Sequence, residues 1–355
     1  MHKCGSLLVA TLLLVAPLTA CESSNPTSTG TTSSGGSSIN SRLDTIKQRG
    51  KLICGVDGKI PGFSFVDESG QYSGLDVDIC KAVAAAVFAD PNAVEYRNLD
   101  STERFEALKS GEVDILSRNT TWTISRDTSV GLEFAPTTFF DGQGIMVRRD
   151  SGITKVEDLA GKAICVEAGT TTELNLTDAL RQKNIKAETV TFQQADPAYA
   201  AYAEGRCQGM TSDKSQLVAR RSTLPNPDEH ILLDVTMSKE PLGPVTVNND
   251  SAWFDVVKWT TYALIEAEEL GINQGNVDQL KTSENPNIKR FLGTEGDLGK
   301  GAGLSNDFAA NAVKAVGNYG EVYERNLGQG SQFKLPRGQN ALWTNGGLMY
   351  SPPLR

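Results

Sequence analysis

From Lys51 onward, strand-like and helix-like stretches alternate, and that order leaves few folds open to the chain. Lys51–Val56 reads as a strand. Leu75–Phe88, "LDVDICKAVAAAVF", reads as a helix, with Leu75, Ile79, Val83 and Val87 at i+4 spacing. A strand around Val94–Arg97, a helix over Thr102–Ser110 and a strand at Val113–Leu116 complete a β-α-β-α-β unit, the order of a doubly wound parallel sheet. A second such unit runs through a strand at Lys162–Glu167, a helix at Glu173–Lys183, a strand at Thr189–Phe192, a helix at Ala198–Glu204 and a strand at Cys207–Thr211. The chain crosses between the units at "GQGIMV", Gly142–Val147, and again at "SKEPLGPVTVNND", where two prolines exclude a helix. Long helices follow at Ser251–Leu270 and Asn306–Leu327, and Gln329–Arg355, rich in Gly and Pro, reads as ordered coil at best. Two α/β units with two extended crossings predict a hinged, two-lobed body.

The first twenty residues stand outside that body. "MHKCGSLLVATLLLVAPLTAC" has a basic Lys3, an apolar run from Leu7 to Val15 and then small residues, the pattern of a secretory signal too short to span a membrane. Its end, Leu18-Thr19-Ala20-Cys21, resembles the lipobox of bacterial lipoproteins, which implies that Cys21 carries a lipid in the mature chain. Loss of residues 1–20 takes the net charge from −9, less the one positive charge of Lys3, to −10. Such a balance speaks against a nucleic-acid partner. Glu22 to Ser41 is mostly Ser, Thr, Gly and Asn, too poor in apolar side chains to offset the entropy of ordering. It reads as a flexible tether spanning roughly 25 Å.

Four cysteines remain in the body: Cys54, Cys80, Cys165 and Cys207. Their spacings fit no zinc pattern, and the body has one histidine, His230, so no metal or other cofactor is expected. An even number outside the cytoplasm points to disulfides, with three pairings possible. Cys54–Cys80 with Cys165–Cys207 keeps each bridge within one predicted lobe and leaves a hinge free to move.

Four segments carry a resemblance. "GLDVDICKAVAAAV" (Gly74–Val87) is similar to the signature of the family 3 extracellular solute-binding proteins, the receptors of polar amino-acid ABC transporters. "RNTTWTISRDTSVGLEFAP" (Arg118–Pro136), "EAGTTTELNL" (Glu167–Leu176) and "SKEPLGPVTV" (Ser238–Val247) resemble its general L-amino-acid-binding branch. The resemblance implies a periplasmic-binding-protein fold, two doubly wound sheets joined by a two-stranded hinge. Lobe 1 would be 43–142 with 244–355 and lobe 2 would be 143–243, after a signal peptide (1–20) and a lipid-anchored tether (21–42).

The resemblance also implies a site. Arg126 would take a ligand's α-carboxylate, since a guanidinium pairs bidentately with a carboxylate and keeps its proton; the spacing alone favours a surface Arg paired with Asp127 or Glu133. Thr121 would assist with its amide and hydroxyl, and the carbonyl of Asn119 would face the ammonium. Thr170 and Thr171 would add donors to the same carboxylate from the second lobe. There "GTTTE", Gly169–Glu173, also reads as a capping box at a helix start, where free amides attract an anion. Asp213 would bind the α-ammonium, or serve only as an N-cap. Asp57 and Phe63, in the loop after the first strand, and Thr102, next to Ser101, are candidates for side-chain contact. Arg118 and Trp122 could line the pocket or merely cap the sheet.

The implied protein is no enzyme. It is a monomeric receptor at the periplasm or the outer face of the plasma membrane, lipid-anchored there, which clamps free L-amino acids, polar and acidic ones included, and hands them to a membrane permease. The alternative is an arogenate- or prephenate-type dehydratase on the same scaffold, for which no Cys–His or Ser–His–Asp set is evident. A sensory receptor would use the same binding site with a different partner.

Overall fold

The computed structural model describes residues 41–355; the leader, Cys21 and nearly all of the tether lie outside the described residues. Within the body, the two repeated units form two five-stranded sheets. In the first, Leu52–Val56 lies between Val94–Asn98 and Ile115–Leu116, parallel to both. In the second, Ala163–Glu167 lies between Glu188–Phe192 and Gly209–Asp213, again parallel to both. These triads are what the alternation predicts, since a parallel pair needs a helical crossover.

Each sheet is nonetheless mixed, which the alternation does not foretell. Val245–Val247 enters the first sheet antiparallel to both neighbours, and Gln143–Arg148 does the same in the second. Both strands follow directly on the crossings, so each arrives from the far lobe and runs against the triad it joins. The crossings themselves pair as a short antiparallel ribbon, Phe139–Asp141 with Glu240–Leu242. The chain thus has the two-lobed periplasmic-binding-protein architecture, with a two-stranded hinge.

The helix Leu75–Phe88 forms at the expected residues. Its Ala-rich sequence is buried on nearly every side because it is wedged against Ser251–Glu269 and Phe308–Val316. The expected single helix Asn306–Leu327 is two, Phe308–Val316 and Tyr319–Asn326. Gly317, at φ 84°, ends the first. Asn318 and Glu321 then form a capping box that starts the second. Gln329–Arg355 is irregular, as expected, but packed: Asn340 accepts from Phe140 N at 2.7 Å and donates to Phe140 O at 3.2 Å, bracing a hinge strand. Disulfides join Cys54 to Cys80 and Cys165 to Cys207, one beneath each parallel triad. His230 is buried 2.9 Å from Tyr202 Oη in the core of the second lobe, a structural place.

Candidate functional site

The seam between the lobes gathers the polar residues that the sequence spreads over more than a hundred positions. On the first lobe, Leu116 ends its strand and the chain turns through Ser117–Thr121, all of it buried. Asn119 holds φ 44°, a left-handed conformation that Asn tolerates better than most residues. Its side chain is buried with neither Oδ1 nor Nδ2 partnered. Arg118 donates from Nε to Leu99 O at 2.8 Å, pairs with Asp57 at 2.6 Å, and reaches toward Glu167 of the other lobe at 3.8 Å. Arg118 therefore lines the seam. Trp122 does not: it is about half exposed, with its indole N–H on Asp127.

Arg126 sits on a wide helical turn, Ser125–Ser129, and is buried. It is not the surface partner of Asp127 or Glu133 that the residues alone allowed. It donates to Thr121 O at 2.9 Å and lies 5.2 Å from the centre of the Phe105 ring. Burial pulls its pKa down to about 10, with the carboxylates of Glu240 and Asp213 opposing. Arg104 lies 4.8 Å from the same ring, donates to Arg118 O and leaves Nε unpartnered. Burial, then the charges of Arg118 and Arg126, push its pKa well below the usual arginine range. Among the described residues, neither Arg104 nor Arg126 is in a salt bridge, so two buried cations lie close to the seam, Arg104 on it, without counter-ions of their own.

On the second lobe, Thr170 caps the helix Thr171–Gln182, accepting from Glu173 N at 3.1 Å. The Glu173 side chain accepts from Gly169 N at 3.0 Å, one residue earlier than a capping box requires. Gly169, at φ 72°, could not carry a side chain without crowding: a Cβ there would stand 3.2 Å from Thr102 Cγ2. It lets the two lobes approach. Thr171 Oγ1 stands 3.3 Å from Thr121 Oγ1 across the seam. Asp213 ends its strand and precedes the helix Lys214–Arg221, yet its side chain does not cap that helix. Asp141, on the hinge, accepts from Ser215 N and Ser215 Oγ instead. Asp213 is released into the seam, where among the described residues its one side-chain donor is Gln216 Nε2 at 3.2 Å. Burial, then the charges of Asp141 and Glu240, raise its pKa well above the ordinary carboxylate range.

Asn119, Thr121, Thr170, Thr171 and Asp213 surround one cavity of about 20 Å³, together with Ser101, Arg104, Arg118 and Glu167. That leaves room for about a water molecule and far less than the several hundred Å³ of a typical ligand pocket, so the lobes are drawn together. Arg126 stands behind Thr121 rather than on the cavity wall. Asp57 reaches it only through Arg118. Thr102 is exposed at the edge of the seam beside Gly169. Phe63 is fully buried in the core, edge-on to Phe139, and does not reach the site; its apolar ring is worth more there than at a polar seam. A wider open groove of about 570 Å³ lies beside Gly74 and Lys81, where Asp78 is already held by Arg325 and Asn326.

Arg104, Glu167 and Glu240 were not picked out from the sequence. Arg104 shares a helix face with buried Ala107 and Leu108, at i, i+3 and i+4, a legible sign that it points inward. Glu167 is the last residue of a parallel strand, the end at which open α/β sheets place their ligands. Glu240 stands within "SKEPLGPVTV", but only the pairing of the hinge strands gives it a role.

The family pattern of the bacterial extracellular solute-binding proteins, family 3, matches residues 52–270. The chain is 54% identical over 315 residues to the general L-amino acid-binding periplasmic protein AapJ of Rhizobium johnstonii, covering 88% of this chain and 92% of that one. It is 48% identical over 321 residues to the glutamate/glutamine/aspartate/asparagine-binding protein BztA of Rhodobacter capsulatus, covering 90% and 95%. Among solved structures, a periplasmic binding protein from Brucella ovis with glutathione bound superposes with a TM-score of 0.87 at 49% identity, covering 89% of this chain and 99% of that one. With its two sheets, its paired hinge strands and its polar seam, the chain belongs to the bacterial extracellular solute-binding proteins, family 3, a family of binding proteins and not of enzymes.

Proposed function

We propose that the chain is the extracytoplasmic receptor of an ABC importer and clamps the α-ammonium and α-carboxylate of a free L-amino acid between its lobes. One observation carries this reading. Unpartnered buried polar atoms, Ser101 Oγ, Arg104 Nε and both side-chain atoms of Asn119, converge on the seam that Asp213 faces from the other side. Buried polar groups without partners are costly and rare in native proteins, so their convergence points to a ligand that satisfies them. Arg126 with Thr121 and Thr171 takes the α-carboxylate, and Asp213 with Asn119 takes the ammonium. Arg104, with no carboxylate of its own, extends the reading to side chains that end in a carboxylate or amide. The glutamate- and aspartate-binding relative accords with this. So does the neighbour that holds glutathione, whose γ-glutamyl end bears the same free ammonium and carboxylate.

A cavity of about 20 Å³ admits no amino acid, so entry requires the lobes to part. We place the division of the chain at 142/143 and 243/244, next to the paired hinge strands. Ligand contacts made by both lobes favour closure, and a membrane permease then accepts the closed form. Cys21 carries the lipid that holds this monomer at the membrane.

The test is calorimetry on body freed of co-purified ligand by partial unfolding. Glutarate and 4-aminobutyrate should each bind at least about a hundredfold more weakly than L-glutamate, because each strands one buried charge. Glutathione in the same series gauges how much side chain the cleft accepts. Equal affinity for glutarate and L-glutamate would refute the paired reading of ammonium and carboxylate.

A further inference from the structure

Glu240 opens the hinge strand Glu240–Leu242 and is buried, yet among the described residues it makes no salt bridge. Four neutral donors fill its carboxylate instead. Oε2 accepts from Thr121 Oγ1 at 2.6 Å and from Thr171 Oγ1 at 2.8 Å. Oε1 accepts from Asn175 Nδ2 at 2.9 Å and from Ser238 Oγ. The donors come from three places: Thr121 from the first lobe, Thr171 and Asn175 from the first turns of a second-lobe helix, and Ser238 from the hinge crossing itself.

Two of these attachments differ in kind. The segment around Thr121 is tied to the hinge strand by main-chain bonds, from Trp122 N to Pro241 O at 2.9 Å and from Gly243 N to Thr120 O at 3.2 Å. Glu240 falls on the second-lobe side of the 243/244 division, but through these bonds its hinge strand moves with Thr121 and the first lobe. Thr171 and Asn175 ride on Thr171–Gln182, which belongs to the other lobe. Their two bonds to Glu240 form only when that helix is brought up to the seam. A carboxylate is also well placed there electrostatically, at the positive end of a helix.

We infer that Glu240 is a latch for closure, a positioning residue that holds the second-lobe helix against the first lobe and contacts no ligand. The inference rests on the clamping function proposed above and adds a residue on the hinge that decides how long the clamp stays shut. Its carboxylate engages the Thr121 and Thr171 hydroxyls. That orients both threonines and leaves their backbone amides for the ligand. Loss of the latch therefore acts on release and leaves encounter unchanged.

The experiment is a double-mutant cycle of Glu240→Gln and Asn175→Ala, since Asn175 is placed in the latch and in no ligand contact. L-Glutamate is the probe, with association and dissociation rates measured separately. Distances between spin labels on the two lobes report the closed fraction, with and without L-glutamate. Glu240→Gln should release L-glutamate about tenfold faster at an unchanged association rate. Asn175→Ala should add little in that background. Additive effects, or a loss confined to association, would overturn the latch. A merely structural role would lower the unfolding temperature of the ligand-free protein and leave the closed fraction as in wild type, which also overturns it. If wild type binds no L-glutamate, the proposed function is what fails. The ligand-free closed fraction still decides the latch, which is overturned if Glu240→Gln and wild type are equally closed.

Discussion

Replacing Arg126 with alanine separates binding from stability, because the two depend on different properties of the same guanidinium. Without ligand, Arg126 is a buried cation whose pKa burial has drawn well below the usual arginine range, to about 10. That difference disfavours the charged form by about 3 kcal/mol. Against it stand one charge-assisted bond to Thr121 O and the approach to the Phe105 ring. Together these are worth about 2–5 kcal/mol. The two nearly cancel, so Arg126→Ala should unfold within a few degrees of wild type when both are stripped of ligand. With ligand the balance changes, since the α-carboxylate would lose the guanidinium proposed to pair with it, while Arg118 stays engaged with Asp57 and Arg104 is left for the ligand's side chain. Stripping one partner from a buried charged contact costs about 3–5 kcal/mol, a loss between about a hundredfold and several thousandfold in affinity. Calorimetry on stripped protein gives the affinity, and thermal unfolding of the same samples gives the stability. Wild-type affinity in Arg126→Ala would refute the placement of the carboxylate. A fall of ten degrees or more in the ligand-free unfolding temperature would refute the claim that Arg126 serves binding rather than the fold.

The ligand-free body should lose stability as pH rises from about 5 to about 7. Burial raises Asp76 and Glu266 to about 7 and Asp141 to about 6, and raises Asp213 as well. The folded chain therefore holds more protons than the unfolded one across that window, and the slope is negative. Urea unfolding at both ends of the window checks it, and greater stability at pH 7 would refute it. The disulfide loops span 26 and 42 residues and should stabilise their lobes by about 3.5 and 4 kcal/mol. Unfolding under reduction measures this, and non-reducing peptide maps that join Cys54 to Cys165 would contradict the pairing. Cys21→Ser should move the protein from the membrane to the soluble fraction, and unchanged partitioning would count against the lipid.

Much of this molecule is written locally. The helix Leu75–Phe88 and the parallel triads follow from apolar spacing over a dozen residues, because a buried face must recur at the period of its own backbone. The polar loop at the seam announces itself in "LSRNTTWTISRD" for a similar reason: a dense cluster of hydroxyls and arginines needs no distant partner to be noticed. The break at Gly317 and Asn318 is also legible in the sequence, as a glycine followed by an Asn-x-x-Glu capping pair, though the longer apolar pattern around it masks it.

What the local pattern could not contain is which polar residues would share a space. Asp213 could serve the ammonium or only cap a helix, and Asp141, 72 positions earlier, takes the cap and leaves Asp213 in the seam. Phe63 looked like a pocket aromatic until Phe139 and the core claimed it. Arg104 and Glu240 acquire meaning only from their neighbours in space, one as a buried cation without a counter-ion, the other as a carboxylate fed by two lobes. Secondary structure depends on neighbours within a few residues, so one sequence carries it. The charge balance of a closed cleft depends on which strands pair across a hinge, and only the tertiary structure decides that.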